Sequence, residues 1–346
     1  MAELRQDPIT LEWVNIAPER GKRSSDFARA RKTTSQRKGL RSTCPFCPGH
    51  EDTSSTDLLR YPSGEAGDWS VRVVPNKFPA FFGEAKAQRR HHGIYEVAPP
   101  TGAHEVVIET SRHDTKLADL SEAEVMIVLS AHRARYLALR ADKRLKYVLI
   151  FGNHGEAAGA SIQHAHSQII ATPIIPQYAR IKIEGVERYE RRYGRCVYCD
   201  MVEQELNEEE RLVAVSKSFV AFAPYASRHP FETWIVPIER RAHFADVDDS
   251  ELSDLATIFK EVLLRLDLCL NDPPYNFMLL TTELSERFHW HIEIVPRLAV
   301  AAGFELGAGI YINSTAPETA AVQLREVLPR SNRLSETHES LCAFTT

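Results

Sequence analysis

GNHGEAAGASIQHAHSQII, residues 152–170, runs from one strand-like segment into another through a loop of Gly, Ala, Ser and Asn, and it carries two histidines one residue apart. A strand alternates its side chains, so His164, His166 and Gln168 point to one face while Ala165, Ser167 and Ile169 point to the other. The small loop residues let backbone N–H groups approach a ligand and line an anion-binding concavity, which suits a phosphate, with Ser161 as a further donor. If a metal holds His164, then His166, about 7 Å further along the same face, is left as a free imidazole. A neutral imidazole attacks phosphorus to give a labile phospho-imidazole, so His166 is the candidate nucleophile. Gln168 can donate an amide N–H to a non-bridging phosphoryl oxygen.

The same order of features occurs twice. The first copy runs through Cys44 and Cys47, WSVRVVPNKFPAF (69–81), HEVVIETSRHDTKLADLS (104–121), a helical stretch, YVLIFGNHG (147–155) and HAHSQIIATP (164–173). The second runs through Cys196 and Cys199, SFVAFAPYASRHPF (218–231), ETWIVPIERRAHFADVDDS (232–250), a helical stretch, YNFMLLTT (275–282) and HWHIEIVP (289–296). Segments such as VVIET and YVLIF, rich in Val, Ile and aromatics and bounded by turn residues, predict strands. Ser121 with Glu124 predicts a capping box ahead of a long helix, and Leu252, Leu255, Phe259, Val262 and Leu266 keep helical spacing. Pro317 suits a helix start, residues 28–43 a basic loop, and the tail after Pro329 a frayed end. The expected organisation is α+β and duplicated, with halves 1–180 and 181–346 and the chemistry in the first. TTELSERF replaces the small-residue loop in the second copy, so His291 and Glu293 are expected to be non-catalytic.

Four of the six cysteines form the two CxxC pairs. Thiolates at that spacing reach one tetrahedral ion, and each pair is followed at matching places by a lone histidine and by the first histidine of the HxH run. The expected zinc ligands are therefore Cys44, Cys47, His113 and His164 in one site and Cys196, Cys199, His243 and His289 in the other. Four ligands close a site, so these ions brace the fold and are not expected to activate water. Most of the 14 histidines need no special role, and His91, His92, His104, His132 and His338 are read as structural.

The 346 residues are 43% hydrophobic and 26% charged, enough for two domains or one large duplicated one. A net charge of -5 lacks the footprint of a nucleic-acid binder, and the basic stretch from Arg29 to Arg41 has no aromatics interleaved for stacking on bases. No apolar run is long enough for a membrane span and no secretory signal opens the chain, which predicts a cytoplasmic protein with reduced thiols. A zinc-dependent nucleotide or nucleic-acid binding module without catalysis is the alternative from another class.

With these motifs the chain resembles the galactose-1-phosphate uridylyltransferase family, a duplicated branch of the histidine triad superfamily, over about residues 5–328. The resemblance implies two antiparallel half-barrel sheets with packed helices, a uridylylated His166 assisted by Gln168, and a homodimer. It further implies nucleotide or phosphate contacts from Arg20 and Arg23 in ERGKR, Asn76 in VPNKFPA and Asn153 in the loop, with Phe304 and Glu305 in AGFELGAGIYIN on the substrate side. The implied reaction is ping-pong transfer from UDP-glucose to a hexose 1-phosphate, in galactose metabolism. Ala165 stands where the best-known members carry proline, and Ser167 precedes the glutamine. ADP-glucose phosphorylase, a relative of similar layout, shares both features and would pass an adenylyl group to phosphate.

Overall fold

The computed structural model describes residues 2–21, 41–51, 56–63, 68–84 and 89–328. Arg23, the basic stretch 29–40 and the tail from 329 onward lie outside the described residues. The first half forms β1 (Glu3–Gln6), β2 (Trp13–Ile16), β3 (Leu59–Pro62), β4 (Trp69–Pro75), β5 (Arg90–His92), β6 (Tyr95–Val97), β7 (Ala103–Ile108), β8 (Tyr147–His154) and β9 (His166–Thr172). The second forms β10 (Leu212–Val215), β11 (Phe219–Phe222), β12 (Thr233–Pro237), β13 (Tyr275–Leu280), β14 (His291–Pro296) and β15 (Tyr311–Asn313). The described helices are α1 (Glu122–Arg140), α2 (Gln177–Tyr193), α3 (Val197–Glu208), α4 (Asp249–Leu270), α5 (Gly303–Ala308) and α6 (Pro317–Glu326).

Local chemistry accounts for the two long helices. Ser121 accepts the Glu124 N–H while the Glu124 carboxylate accepts the Ser121 N–H, and Asp248 with Glu251 repeats this box at the start of α4. Along α4, Leu252, Leu255, Phe259, Val262 and Leu266 are at most 1% exposed. Each such side chain stabilises the fold by about 1.5–3 kcal/mol on burial, far more than the intrinsic helix preference of any one residue. Pro317 opens α6, where its missing N–H costs nothing.

Ten strands form one antiparallel sheet in the order β10, β11, β12, β14, β13, β8, β9, β7, β4, β3. The half-sheets expected from the repeat meet edge to edge. β8 pairs with β13, Phe277 facing Gly152, and the strands follow the same succession outward from that junction in each half. One face carries α1 and α4 over an apolar core that includes Val107, Ile150, Ile169, Phe277 and Ile292. On the opposite face α2 and α3 cover the second half with Val186, Tyr198 and Val202, whereas the first half is met by the Cys44–Cys47 segment with Trp69, Val74 and Ile108. A three-stranded sheet of β1, β2 and β15 ties the beginning of the chain to its later part, and Arg5 pairs with Glu318 of α6 at 2.8 Å.

At the junction a Cβ on Gly152 would fall 2.0 Å from Cε1 of Phe277, so only glycine lets the two halves close there. Gly152→Ala is expected to destabilise the protein by about 1–3 kcal/mol through overpacking, measured by urea unfolding. Adding Phe277→Leu should recover part of that loss.

Candidate active site and metal centres

Register places the candidate residues on one face. Across β7 and β9, Ile108 pairs with His166, Val106 with Gln168 and His104 with Ile170; across β8 and β9, Phe151 pairs with Gln168. His104, His166, Gln168 and Asn153 therefore share the face opposite α1. Ser167 points the other way, fully buried, 2.7 Å from His132 Nε2.

His166 is partly buried and its Nδ1 lies 2.8 Å from the His164 carbonyl oxygen. A carbonyl only accepts, so the proton of the neutral ring sits on Nδ1 and the lone pair on Nε2. Burial holds the imidazole below its ordinary value, opposed by that hydrogen bond. The Phe46 ring, between the two cysteines of the first CxxC, packs 5.2 Å from the His166 ring.

Two amides beside His166 are oriented by their own partners. Asn276 Nδ2 donates to Asn153 Oδ1 at 2.8 Å and to the Ala158 carbonyl at 2.8 Å, which turns the Asn153 amide N–H groups away from β13. Gln168 Oε1 lies 2.7 Å from His104 Nε2. The loop between these strands turns at Gly155 (φ +80°) and Gly159 (φ +90°), conformations that favour glycine, and Ser161 is exposed at its end. Asn76 is brought here too, its Nδ2 3.1 Å from His104 Nε2. Arg20 and Phe304 are not carried by these strands: Arg20 is exposed in a turn after β2, and Phe304, 53% exposed, lies on α5 just before β15. His104, read as structural from the sequence, is the residue that reading missed. The available signal was its phase, two residues before Val106 on a strand of alternating faces.

Cys44, Cys47, His113 and His164 are all buried, with ligand atoms within 4.8 Å of one another. His164 Nε2–H donates to the Thr110 carbonyl at 2.6 Å, which turns Nδ1 toward Cys47 Sγ at 3.6 Å and Cys44 Sγ at 3.7 Å. His113 Nδ1 lies 3.2 Å from Cys47 Sγ. Two thiols and two imidazoles converging in a dry site are a donor set suited to zinc.

Cys196, Cys199 and His289 converge in the same way. His289 has no exposed surface, and among the described residues its ring nitrogens meet only the Cys196 thiol, an arrangement that suits a metal ligand. His243, expected as the fourth ligand, is not part of the cluster. Its Nδ1 donates to the Thr282 carbonyl at 2.8 Å and its Nε2 meets the Glu286 carboxylate at 3.1 Å. Burial works against its charge, but Glu286 and Glu283 raise the imidazole above its ordinary value.

The second copy of the histidine face is closed. His291 Nδ1 donates to the His289 carbonyl at 2.9 Å, as His166 does to His164, but its Nε2 accepts from Lys182 Nζ at 3.1 Å. Lys182, from α2, also pairs with Glu293, and all three side chains are at most 1% exposed. Burial disfavours the charged Glu293, yet the Lys182 ammonium, with Arg228 beyond it, holds it well below the usual carboxylate range. A nucleophile with a capped lone pair and no exposed surface cannot reach a substrate.

The sheet and its paired histidine faces define a duplicated histidine-triad fold, and known proteins share it at full length. Residues 1–176 match galactose-1-phosphate uridyl transferase, N-terminal domain, and residues 182–342 match its C-terminal domain. The chain is 35% identical over 333 residues to ADP-glucose phosphorylase of Arabidopsis thaliana, covering 94% of this chain and 93% of that one. It is 29% identical over 341 residues to galactose-1-phosphate uridylyltransferase of Thermotoga maritima, covering 94% and 98%. Among solved structures, the Arabidopsis thaliana ADP-glucose phosphorylase with bound ADP-glucose gives a TM-score of 0.80 at 33% identity, covering 95% of this chain and 99% of that one. A uridylyltransferase structure gives 0.73 at 29% identity, covering 94% and 98%. The chain belongs to the galactose-1-phosphate uridylyltransferase family and is a nucleotidyltransferase of that family. Among the described residues no helix is long and apolar enough to cross a membrane.

Cys44→Ser is expected to lose the metal of the first cluster, by elemental analysis, and at least about 3 kcal/mol of stability, by denaturant unfolding. Protonation of His166 at Nε2 would remove its lone pair, and burial holds that protonation below the ordinary imidazole range. If His166 is the nucleophile, nucleotidyl uptake should fall on the acid side, at lower pH than an ordinary exposed imidazole would give, measured as initial labelling rate.

Proposed function

We propose that this chain transfers a nucleotidyl group from a nucleoside diphosphate sugar through a covalent intermediate on His166. The observation that carries the reading is the His166 Nδ1–H bond to the His164 carbonyl, 2.8 Å, which leaves Nε2 as the free nucleophile. Nε2 attacks the α-phosphorus, the bond to the bridging oxygen breaks, and sugar 1-phosphate leaves. The ring is cationic in the intermediate, and the His164 carbonyl oxygen stabilises that charge through Nδ1–H. An oxygen of the acceptor phosphate then attacks the same phosphorus, and the P–N bond breaks to return the neutral imidazole. Amide N–H groups of Gln168 and Asn153 and the loop amides near Ser161 stabilise the charge that grows on the non-bridging oxygens. Asn76, Arg20, Arg23 and Phe304 complete the substrate contacts in this reading.

ADP-glucose as donor and inorganic phosphate as acceptor is the specific reaction we favour, in place of the uridylyl transfer expected first from the sequence. The higher similarity to ADP-glucose phosphorylase, 35% against 29% identity and a TM-score of 0.80 against 0.73, supports this choice. Uridylyl transfer from UDP-glucose to galactose 1-phosphate is the second reading, supported by the family match over both halves. The proposal includes zinc held by Cys44, Cys47, His113 and His164, with a second ion at Cys196, Cys199 and His289. Zinc there supplies folding energy and rigidity. Residues 1–180 carry the working site and 181–346 the closed copy, in a homodimer.

Intact-protein mass after brief exposure to ADP-glucose or UDP-glucose, without acceptor, tests the reading. An adenylyl gain is expected, absent in His166→Ala and discharged by phosphate to release ADP. A uridylyl gain alone, discharged by galactose 1-phosphate, would select the second reading. No gain with either donor in metal-loaded protein would overturn the covalent mechanism.

A further inference from the structure

His104 lies on β7 among the residues that line the candidate active face, and its ring is fixed at both nitrogens. The Ala80 N–H donates to Nδ1 at 3.1 Å. A backbone amide cannot accept, so Nδ1 carries the lone pair and the proton of the neutral ring sits on Nε2. That Nε2 is 2.7 Å from Gln168 Oε1. The Nε2–H therefore donates to the amide oxygen, and the NH2 of Gln168 must face the other way. Asn76 is held comparably: its Oδ1 accepts the Phe78 N–H at 2.9 Å, which leaves its amide nitrogen beside His104 Nε2, donor next to donor, with hydrogens to offer elsewhere.

We propose that His104 is the positioning residue for Gln168. The 75–80 segment sets the tautomer of the ring through the Ala80 amide, the ring holds Gln168 Oε1, and the glutamine NH2 is thereby aimed at the phosphoryl oxygens beside His166. Freed of the ring, the amide can turn by half a revolution and present its oxygen, an acceptor, to an anionic oxygen, which is repulsive. The second copy lacks this pair. There Trp234 faces Glu293 as Val106 faces Gln168, so Glu232 occupies the register position of His104. Glu232 instead accepts from Trp234 Nε1 at 3.1 Å and from the Arg228 amide at 2.9 Å.

The proposal deepens the nucleotidyl-transfer reading and rests on it, so the test has an arm that needs no turnover. In the resting full-length protein, ring 15N shifts should report His104 as the Nε2–H tautomer, and His104→Phe should shift the Gln168 side-chain amide resonance. In kinetics, His104→Phe should lower kcat by about 10- to 100-fold with KM and Tm near wild type. His104→Gln, which keeps an N–H at the place of Nε2, should regain part of the loss. In a Gln168→Ala background His104→Phe should cost nothing more. The proposal is overturned by an Nδ1–H tautomer, by an unmoved Gln168 resonance, by wild-type kcat in His104→Phe, or by an equal loss in the Gln168→Ala background. If the wild type takes no nucleotidyl group from any donor, the functional reading fails while the two NMR results still decide whether His104 orients Gln168.

Discussion

The His164 carbonyl oxygen accepts the Nδ1 proton of His166, and the candidate chemistry depends on where that proton sits. With Nδ1 protonated, Nε2 carries the lone pair that the proposed attack on phosphorus needs. His164 is itself held twice, by its Nε2–H to Thr110 and by the thiols that face its Nδ1. Rigidity passes from the Cys/His cluster to one backbone carbonyl and from there to the neighbouring imidazole. Phe46, fixed between Cys44 and Cys47, supports the same ring from the side.

Duplication supplied two such carbonyl and imidazole pairs, and only their surroundings separate them. His291 keeps the hydrogen bond of its counterpart. What differs is α2, which lays Lys182 over the second face and satisfies both His291 Nε2 and Glu293. Replacing Gln168 by Glu293 at the equivalent place provides the anion that makes a buried ammonium tolerable, since an unpaired buried charge costs several kcal/mol. Among the described residues no helix lays a cation over the first face, and its amide donors remain for a ligand.

The sheet is continuous because β8 and β13 join across the repeat, and that junction lies next to the chemistry. Asn276 of β13 reaches across to hold Asn153 and the Ala158 carbonyl, so the second half orients a donor of the first. The closed copy is thus structural support for the open one, through backbone pairing as well as through this amide.

The sequence by itself determined the duplication, the order of the repeated strands with one long helix in each half, and the face that carries His166 and Gln168, because all of these follow from local periodicity read twice in one chain; the helices α2 and α3 between the halves did not repeat and were not read from it. The capping box at Ser121 and the apolar stripe of α4 were legible for the same reason. The first Cys/His cluster was legible too, since ligand type and spacing suffice when the fold brings every member together. His243 shows the limit: its place in the repeat matches His113, but the carboxylates beside it come from a loop whose path no spacing records. Tertiary structure alone decided that the half-sheets fuse at Gly152 and Phe277, that Lys182 closes the second face, and that His104 meets Gln168. Each of these depends on which strand lies beside which, and in what register, and a strand's own alternation says which face a side chain takes but not what stands across from it.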